Sequence, residues 1–210
     1  MLSAISIICY YNPSGPKTQT FGARERKKVA GKCGFPAIGG QNMELLRYQS
    51  FPSEYEDQIH RLLWACDRDF YPPLSSRGST TEQNLRSGEE SLSGPELYLN
   101  SLRTQSWLLA VSEGRLLGFM SFIPEKVVDG IRCVYFSTLI VDPEARHQGV
   151  ARHIYRALIE DHAGKTIVLR TWSTNRGHLA LLEQLGFRSY KVLKDDRGEG
   201  VDTIYFRLDA

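Results

Sequence analysis

Between Leu139 and Ala151 the sequence reads Leu-Ile-Val-Asp-Pro-Glu-Ala-Arg-His-Gln-Gly-Val-Ala, an apolar strand that runs into a basic, glycine-containing turn and then opens a helix. Those parts in that order build an anion cradle. The free backbone N–H groups of a helix's first turn and the positive end of its dipole converge on one point, where main chain can hold a phosphate or diphosphate. Gly149 and Ala151 keep the approach open, Arg146 adds a charge whose fork matches phosphate oxygens, and His147, Gln148 and Val150 complete the loop. Downstream, Val150, Ala151, Ile154, Tyr155 and Leu158 share one helical face, whereas Arg152, His153, Arg156 and Glu160 lie on the other. No acidic residue occurs from Arg146 to Arg156, so the helix end nearest the cradle is cationic and favours a ligand with several phosphates.

Two other phosphate-binding designs use a strand, a glycine turn and a helix, and neither fits. A dinucleotide fold needs G-x-G-x-x-G and an acidic residue at the end of the next strand. Here that strand, Thr166-Ile-Val-Leu-Arg-Thr171, ends on Arg170 and Thr171. A P-loop needs a glycine five residues before its Gly-Lys-Ser/Thr, and Gly164-Lys165-Thr166 has Ile159 there.

The pattern Arg146-x-x-Gly149-x-Ala151 after Leu-Ile-Val-Asp-Pro resembles the acyl-CoA diphosphate motif of the GNAT superfamily of N-acetyltransferases. A second segment agrees. Asn175-Arg-Gly-His-Leu-Ala-Leu-Leu-Glu-Gln-Leu-Gly186-Phe187 resembles the family's later motif, in which an Asn opens a short helix and Gly-Phe closes it. The resemblance, which extends over residues 43–208, implies a mixed α/β (α+β) fold: a mostly antiparallel sheet with a central parallel pair, flanked by helices. It also implies that acetyl-CoA is the acyl donor and that the strand carrying Leu139, Ile140 and Val141 splays from its neighbour near Thr171. Main chain at those three residues would then bind the pantetheine arm, and Arg146 to Ala151, with Asn175, would contact the rest of the donor.

Periodicity and turn residues give the element order. Met43 to Gln49 reads as a strand, and Ser53 with Glu56 has capping-box spacing before a helical stripe of Tyr55, Ile59, Leu62, Leu63, Cys66 and Phe70. Phe70 to Gly94 is mostly loop, and Pro95 suits the first position of a short helix to Leu102. Trp107 to Val111 and Leu116 to Ile123 pair around Glu113-Gly114, and Val134 to Val141 is the central strand. A helix from Gly149 to His162 crosses over to a parallel strand, Ile167 to Thr171. A helix from His178 to Leu185 and strands Arg188 to Val192 and Thr203 to Leu208 close the chain.

The sequence departs from the family pattern at the proton-transfer positions. Many members have a Tyr seven residues after the motif Asn and a Glu just before the equivalent of Leu139, whereas this chain has Leu182 and Thr138. Tyr155 and Tyr190 are substitutes for the acid, though either also suits a core position, and Asn175 suits a helix cap as well as a donor contact. The resemblance implies that acceptor recognition falls to the first helices and the loop between them. Phe70-Tyr-Pro-Pro-Leu74 offers an apolar wall there, and Glu89 and Glu90 are either attractors for a cationic amine or a solvated loop.

A chain of 210 residues, 41% hydrophobic, supports one such domain over 43–210. A net charge of +2 with interspersed signs gives no footprint for nucleic acid, and no apolar run is long enough to span a membrane. Cys9, Cys33, Cys66 and Cys133 lack metal-ligand spacing; no metal is expected, and Cys66 and Cys133 read as core residues in a reducing, cytoplasmic compartment. Residues 1–42, basic with Glu25 as their single acid, read as a flexible extension, or as sequence upstream of a start at Met43, in preference to an organelle transit peptide. The composite expectation is direct acetyl transfer from acetyl-CoA to a primary amine of a small molecule. The alternatives are a protein Lys or N-terminal acetyltransferase and a non-catalytic acyl-CoA-binding module, and a homodimer is left open.

Overall fold

The computed structural model describes residues 42–77 and 95–209. The expected extension except Asn42, Cys9, Cys33, Glu89, Glu90 and most of the loop before Pro95 lie outside them. Seven strands form one sheet in the order β1-β2-β3-β4-β5-β7-β6. They are β1 Glu44–Tyr48, β2 Ser106–Ser112, β3 Arg115–Val128, β4 Ile131–Val141, β5 Thr166–Trp172, β6 Arg188–Leu193 and β7 Thr203–Asp209; the helices are α1 Glu56–Ala65, α2 Glu96–Leu102, α3 Val150–Asp161 and α4 Arg176–Gln184. Every pairing is antiparallel except β4 with β5, which α3 connects. This is the mixed sheet with a central parallel pair that the sequence led us to expect.

Two apolar layers clamp the sheet. On one face Ile154 and Leu158 of α3 and Leu182 of α4 pack on Leu108, Met120, Phe136 and Leu169. On the other, Ile59, Leu62 and Leu63 of α1 and Tyr98, Leu99 and Leu102 of α2 pack on Trp107, Leu109, Phe119 and Ile140. Each fully buried Leu or Ile contributes about 1.5–3 kcal/mol, so these helices are held by their apolar faces rather than by intrinsic propensity. No helix among the described residues is long and apolar enough to cross a membrane.

Several boundaries differ from the sequence reading. Ser53 does not cap α1: Tyr55 N–H donates to Pro52 O (2.9 Å), closing a 3-10 turn over Ser53–Tyr55 that delays the α-helix to Glu56. Phe70 is not on that helix either, because Asp67 takes the Ser75 N–H (2.7 Å) and hydroxyl and draws the chain into a turn after Ala65. Pro95 precedes α2 and accepts its first bond from Leu99 N–H. The largest difference is the β3–β4 hairpin, which runs on to an Asp129-Gly130 turn with both φ positive (49° and 80°). Pro124 cannot donate to a ladder and hides this strand from a pattern search, but a register irregularity between Ile123 and Lys126 absorbs it.

Candidate active site

The parallel ladder between β4 and β5 ends at Phe136↔Leu169, yet β4 runs on to Val141 and β5 to Trp172. Beyond that point the strands part. Thr138 to Val141 still pair with β3, so their other edge presents main-chain N–H and C=O groups to a cleft. A register shift opposite Ser121 and Phe122 leaves Ser137 as an extra residue, a bulge that re-aims the strand beside the cleft. The Ser137 hydroxyl is held by Gln105 and by Ser121 O (3.0 Å).

The cleft, about 540 Å³, reaches both faces of the sheet. Of the residues expected to contact the donor, Leu139, Ile140, Val141, Arg146, His147, Ala151 and Asn175 line it. Gly149, Gln148 and Val150 do not put side chains there. Val150 is core, and Gln148 donates to Glu144 O (2.9 Å) and borders a separate hollow of about 130 Å³. Gly149 stands at φ 84°, and no side chain caps α3. The first helical bond is His153 N–H to Gly149 O (3.0 Å), which leaves the N–H groups of Val150, Ala151 and Arg152 ahead of the ladder. A Cβ on Gly149 would meet the His153 ring at 3.5 Å, an ordinary contact, so backbone conformation and not crowding demands glycine. Arg146 forms an ion pair with Asp69 (2.5 Å) and donates to Val141 O (3.3 Å) and Cys66 Sγ (3.3 Å).

Asp142 anchors this turn. Its buried carboxylate accepts from Glu144 N–H (3.1 Å), Arg61 (3.0 Å) and Arg115 (3.1 Å), and its own N–H donates to Leu117 O (2.8 Å). Burial pushes its pKa up, but those donors outweigh burial and hold it below the usual carboxylate value.

On the α3/α4 side, the Tyr155 hydroxyl lies 2.7 Å from His178 Nε2, and His178 Nδ1 lies 3.1 Å from Thr171 Oγ1. Burial drives the His178 imidazole down to about 4 and the Tyr155 phenol above its ordinary range, so both are neutral at physiological pH. Asn175 is the cap of α4, accepting from His178 N–H (3.4 Å), and it also borders the cleft. On the α1/α2 side, Thr138 Oγ1 lies 2.7 Å from the buried Tyr98 hydroxyl. Leu182 is wholly buried core. Tyr190 is not brought to the cleft: its hydroxyl donates to Asp129 (3.4 Å) and its ring packs on Tyr205. Of the expected apolar wall only Phe70 lines the cleft, while Leu74 is core and Tyr71 is exposed. Cys66 and Cys133 are free, buried thiols, and Cys66 also borders the cleft.

Sequence reasoning missed His178, Asp69 and Arg170, which line the cleft, and Tyr98, which backs Thr138. His178 had a signal, one turn after the motif Asn. Tyr98 had none, because its contact with Thr138 joins residues 40 apart.

The model of the acetyltransferase (GNAT) family matches residues 56–187. A comparison with curated proteins gives no match. Among solved structures the chain is similar to N-acetyltransferase from Staphylococcus aureus Mu50 (15% identity, TM-score 0.54, over 80% of this chain and 98% of that one). It is also similar to ribosomal-protein-alanine N-acetyltransferase from Brucella melitensis (17%, 0.55, 77% and 98%) and to yncA, named an acetyltransferase, from Salmonella typhimurium with its cofactor acetyl-CoA (18%, 0.52, 80% and 94%). At such identities the likeness is one of fold.

Proposed function

The chain belongs to the GNAT family of acetyltransferases, and from that premise we propose that it transfers acetyl directly from acetyl-CoA to a primary amine of a small molecule. One observation carries the reading: the unpaired edge of β4 and the uncapped start of α3 open into the same region, joined by a turn with Gly149 at positive φ. The pantetheine arm adds to that edge like a strand, and the diphosphate sits over the first turn of α3, with Arg146 leaving Asp69 for a phosphate oxygen. The thioester then lies where β4 and β5 part, with the amine approaching from the α1/α2 side.

An amine with a pKa of ~10.4 is neutral in fewer than about one molecule in a thousand at pH 7, so water must carry its proton away before attack. Thr138, tied to Tyr98, cannot serve as a base but can orient that water. The neutral nitrogen attacks the carbonyl carbon, and backbone N–H groups near Leu139 to Val141 receive the oxyanion. The nitrogen then gives its extra proton to water and the C–S bond breaks, leaving amide and thiolate. A thiol pKa near ~8.5 makes the thiolate a tolerable leaving group that takes its proton from water, and the Tyr155 hydroxyl, 2.7 Å from His178 Nε2, is a side-chain hydrogen-bond donor for it in the cleft. The buried free thiols Cys66 and Cys133 suit a reducing, cytoplasmic setting.

Calorimetry with acetyl-CoA, followed by thiol release across amines, polyamines and peptides, tests this reading. Binding with turnover of small amines is expected. Absence of binding removes the site, binding without turnover leaves a regulatory module, and turnover confined to peptides makes the acceptor a protein.

A further inference from the structure

The α1/α2 side of the cleft is rich in buried positive charge. Arg170 of β5 lines the cleft. Its neighbours Leu169 and Thr171 face α3 and α4, so Arg170 projects to the other side with Val168 and Trp172. Behind it lie two more guanidiniums. Arg77, 8% exposed, donates to Pro72 O (2.9 Å) and Tyr71 O (2.8 Å). Arg197, 4% exposed, donates to Tyr71 O (2.6 Å) and Thr203 Oγ1 (3.0 Å) and sits 5.2 Å from the centre of the Trp172 ring.

Among the described residues no carboxylate is within ion-pair distance of these three, whereas Arg47, Arg61, Arg103, Arg115 and Arg146 all have one. The acids beside them are occupied, Asp67 by Ser75 and Asp196 by Thr203 (2.6 Å), and Asp69, which lines the cleft with Arg170, is paired with Arg146. Arg170 lies instead beside the phenols of Tyr135, Tyr205 and Tyr98. Burial and the mutual repulsion of the group hold Arg197 down to about 9 and lower Arg77 as well. Arg77 and Arg197 have a structural task in pinning the Tyr71–Pro72 carbonyls, which a neutral donor could also perform. Arg170 pins nothing of the kind, and it faces the space where the acceptor arrives.

Building on the acetyl-transfer reading, we propose that the acceptor amine carries an oxyanion, a carboxylate foremost, that Arg170 binds, while Arg77 and Arg197 supply positive potential from behind. A single accessible guanidinium fork fits a planar carboxylate in two parallel hydrogen bonds, which favours amino-acid-like amines over phosphorylated ones. Polyamines are disfavoured by the same field.

The test uses the full chain with acetyl-CoA and four amines: an α-amino acid, its carboxamide, an aminoalkyl phosphate and a polyamine. We expect kcat/KM for the amino acid to exceed that of the carboxamide by about 10–100-fold, with the phosphate between them. Arg170→Gln should raise KM for the amino acid by a similar factor and change the carboxamide less than about threefold, with acetyl-CoA affinity unchanged. Arg170→Lys should recover part of the loss. Equal use of acid and amide, preference for the polyamine, or a uniform loss in Arg170→Gln overturns the proposal. If no amine releases thiol, the acetyl-transfer reading fails by itself. Direct binding of acid against amide to the CoA-loaded protein then decides this inference: tighter acid binding supports it and equal binding overturns it.

Discussion

Gly149 and Gly177 border the same helical region for opposite reasons, and single alanines should separate them. Gly149 at φ 84° asks any L side chain for a left-handed backbone, so Gly149→Ala should cost about 1–2 kcal/mol. Gly177 lies in the first turn of α4 with nothing within 4 Å of a Cβ, so Gly177→Ala should gain about 0.5–1 kcal/mol. Denaturant midpoints at constant m-value read both, and equal effects would show that the turn does not hold the conformation described. His178 gives a second residue-scale outcome. The folded imidazole resists protonation down to about 4, whereas the unfolded one accepts a proton below its ordinary 6.5. Its contribution to stability is therefore complete above about pH 6.5 and is lost as pH falls toward 4, by up to roughly 3 kcal/mol. Denaturation of wild type and His178→Gln across that window should show the variant with the flatter slope, and parallel slopes would mean His178 is not buried neutral. The glycine's place in a turn was legible in the sequence because it stands between an apolar strand and an amphipathic helix. The histidine's burial depends on α3, β5 and α4 meeting, which no local pattern records.

At the scale of elements, the turn after β4 is held to α1 and β3 through one carboxylate. Asp142→Asn keeps the shape and the Glu144 N–H bond but leaves Arg61 and Arg115 facing a neutral group. Both arginines are about half exposed and can turn to water, so the loss should be about 1–3 kcal/mol, at the low end of breaking a buried charged hydrogen bond. The pKa of Asp142 is depressed in the fold, so its contribution stands above 3.8 and disappears as pH drops below it; the wild type–variant difference should be full at pH 7 and shrink in acid. Thermal unfolding at both pH values checks this, and a difference that persists in acid would assign the loss to shape instead. The same elements show why some boundaries were legible and others not. Glu113-Gly114 announced its hairpin because apolar runs flank it closely, whereas Asp129-Gly130, with the same paired positive φ, is flanked by Lys126, Val127, Val128 and Arg132 on exposed strand ends. Periodicity finds the part of a strand that a core covers, and β3 and β4 extend beyond theirs.

At the scale of the whole molecule, the cleft is lined from both apolar layers, with residues of α3 and α4 on one wall and Cys66, Asp69 and Phe70 along the other. That β4 is central and parallel to β5 was legible from the strand–turn–helix order, because a crossover helix forces parallel strands to be neighbours. Where the two strands separate was expected from family resemblance alone, since the bulge at Ser137 beside it leaves no local pattern in the sequence. A ligand seated in the gap supplies the strand edge that the fold leaves unpaired and touches both layers, so it should stabilise the molecule as one unit. Acetyl-CoA at about 100 times its Kd should raise the unfolding free energy by about 2.7 kcal/mol and Tm by roughly 5–10 °C. Amide exchange should slow at Leu139 to Val141 and at Val150 to Arg152, and change little at β1 and β6 on the sheet's edges. Gly149→Ala should reduce the Tm rise by more than its own destabilisation explains, because that residue aims the N–H groups proposed to meet the diphosphate. Protection centred instead on the hollow beside Met43 and Gln148 would move the donor off the β4 edge and take the direction of acceptor approach with it.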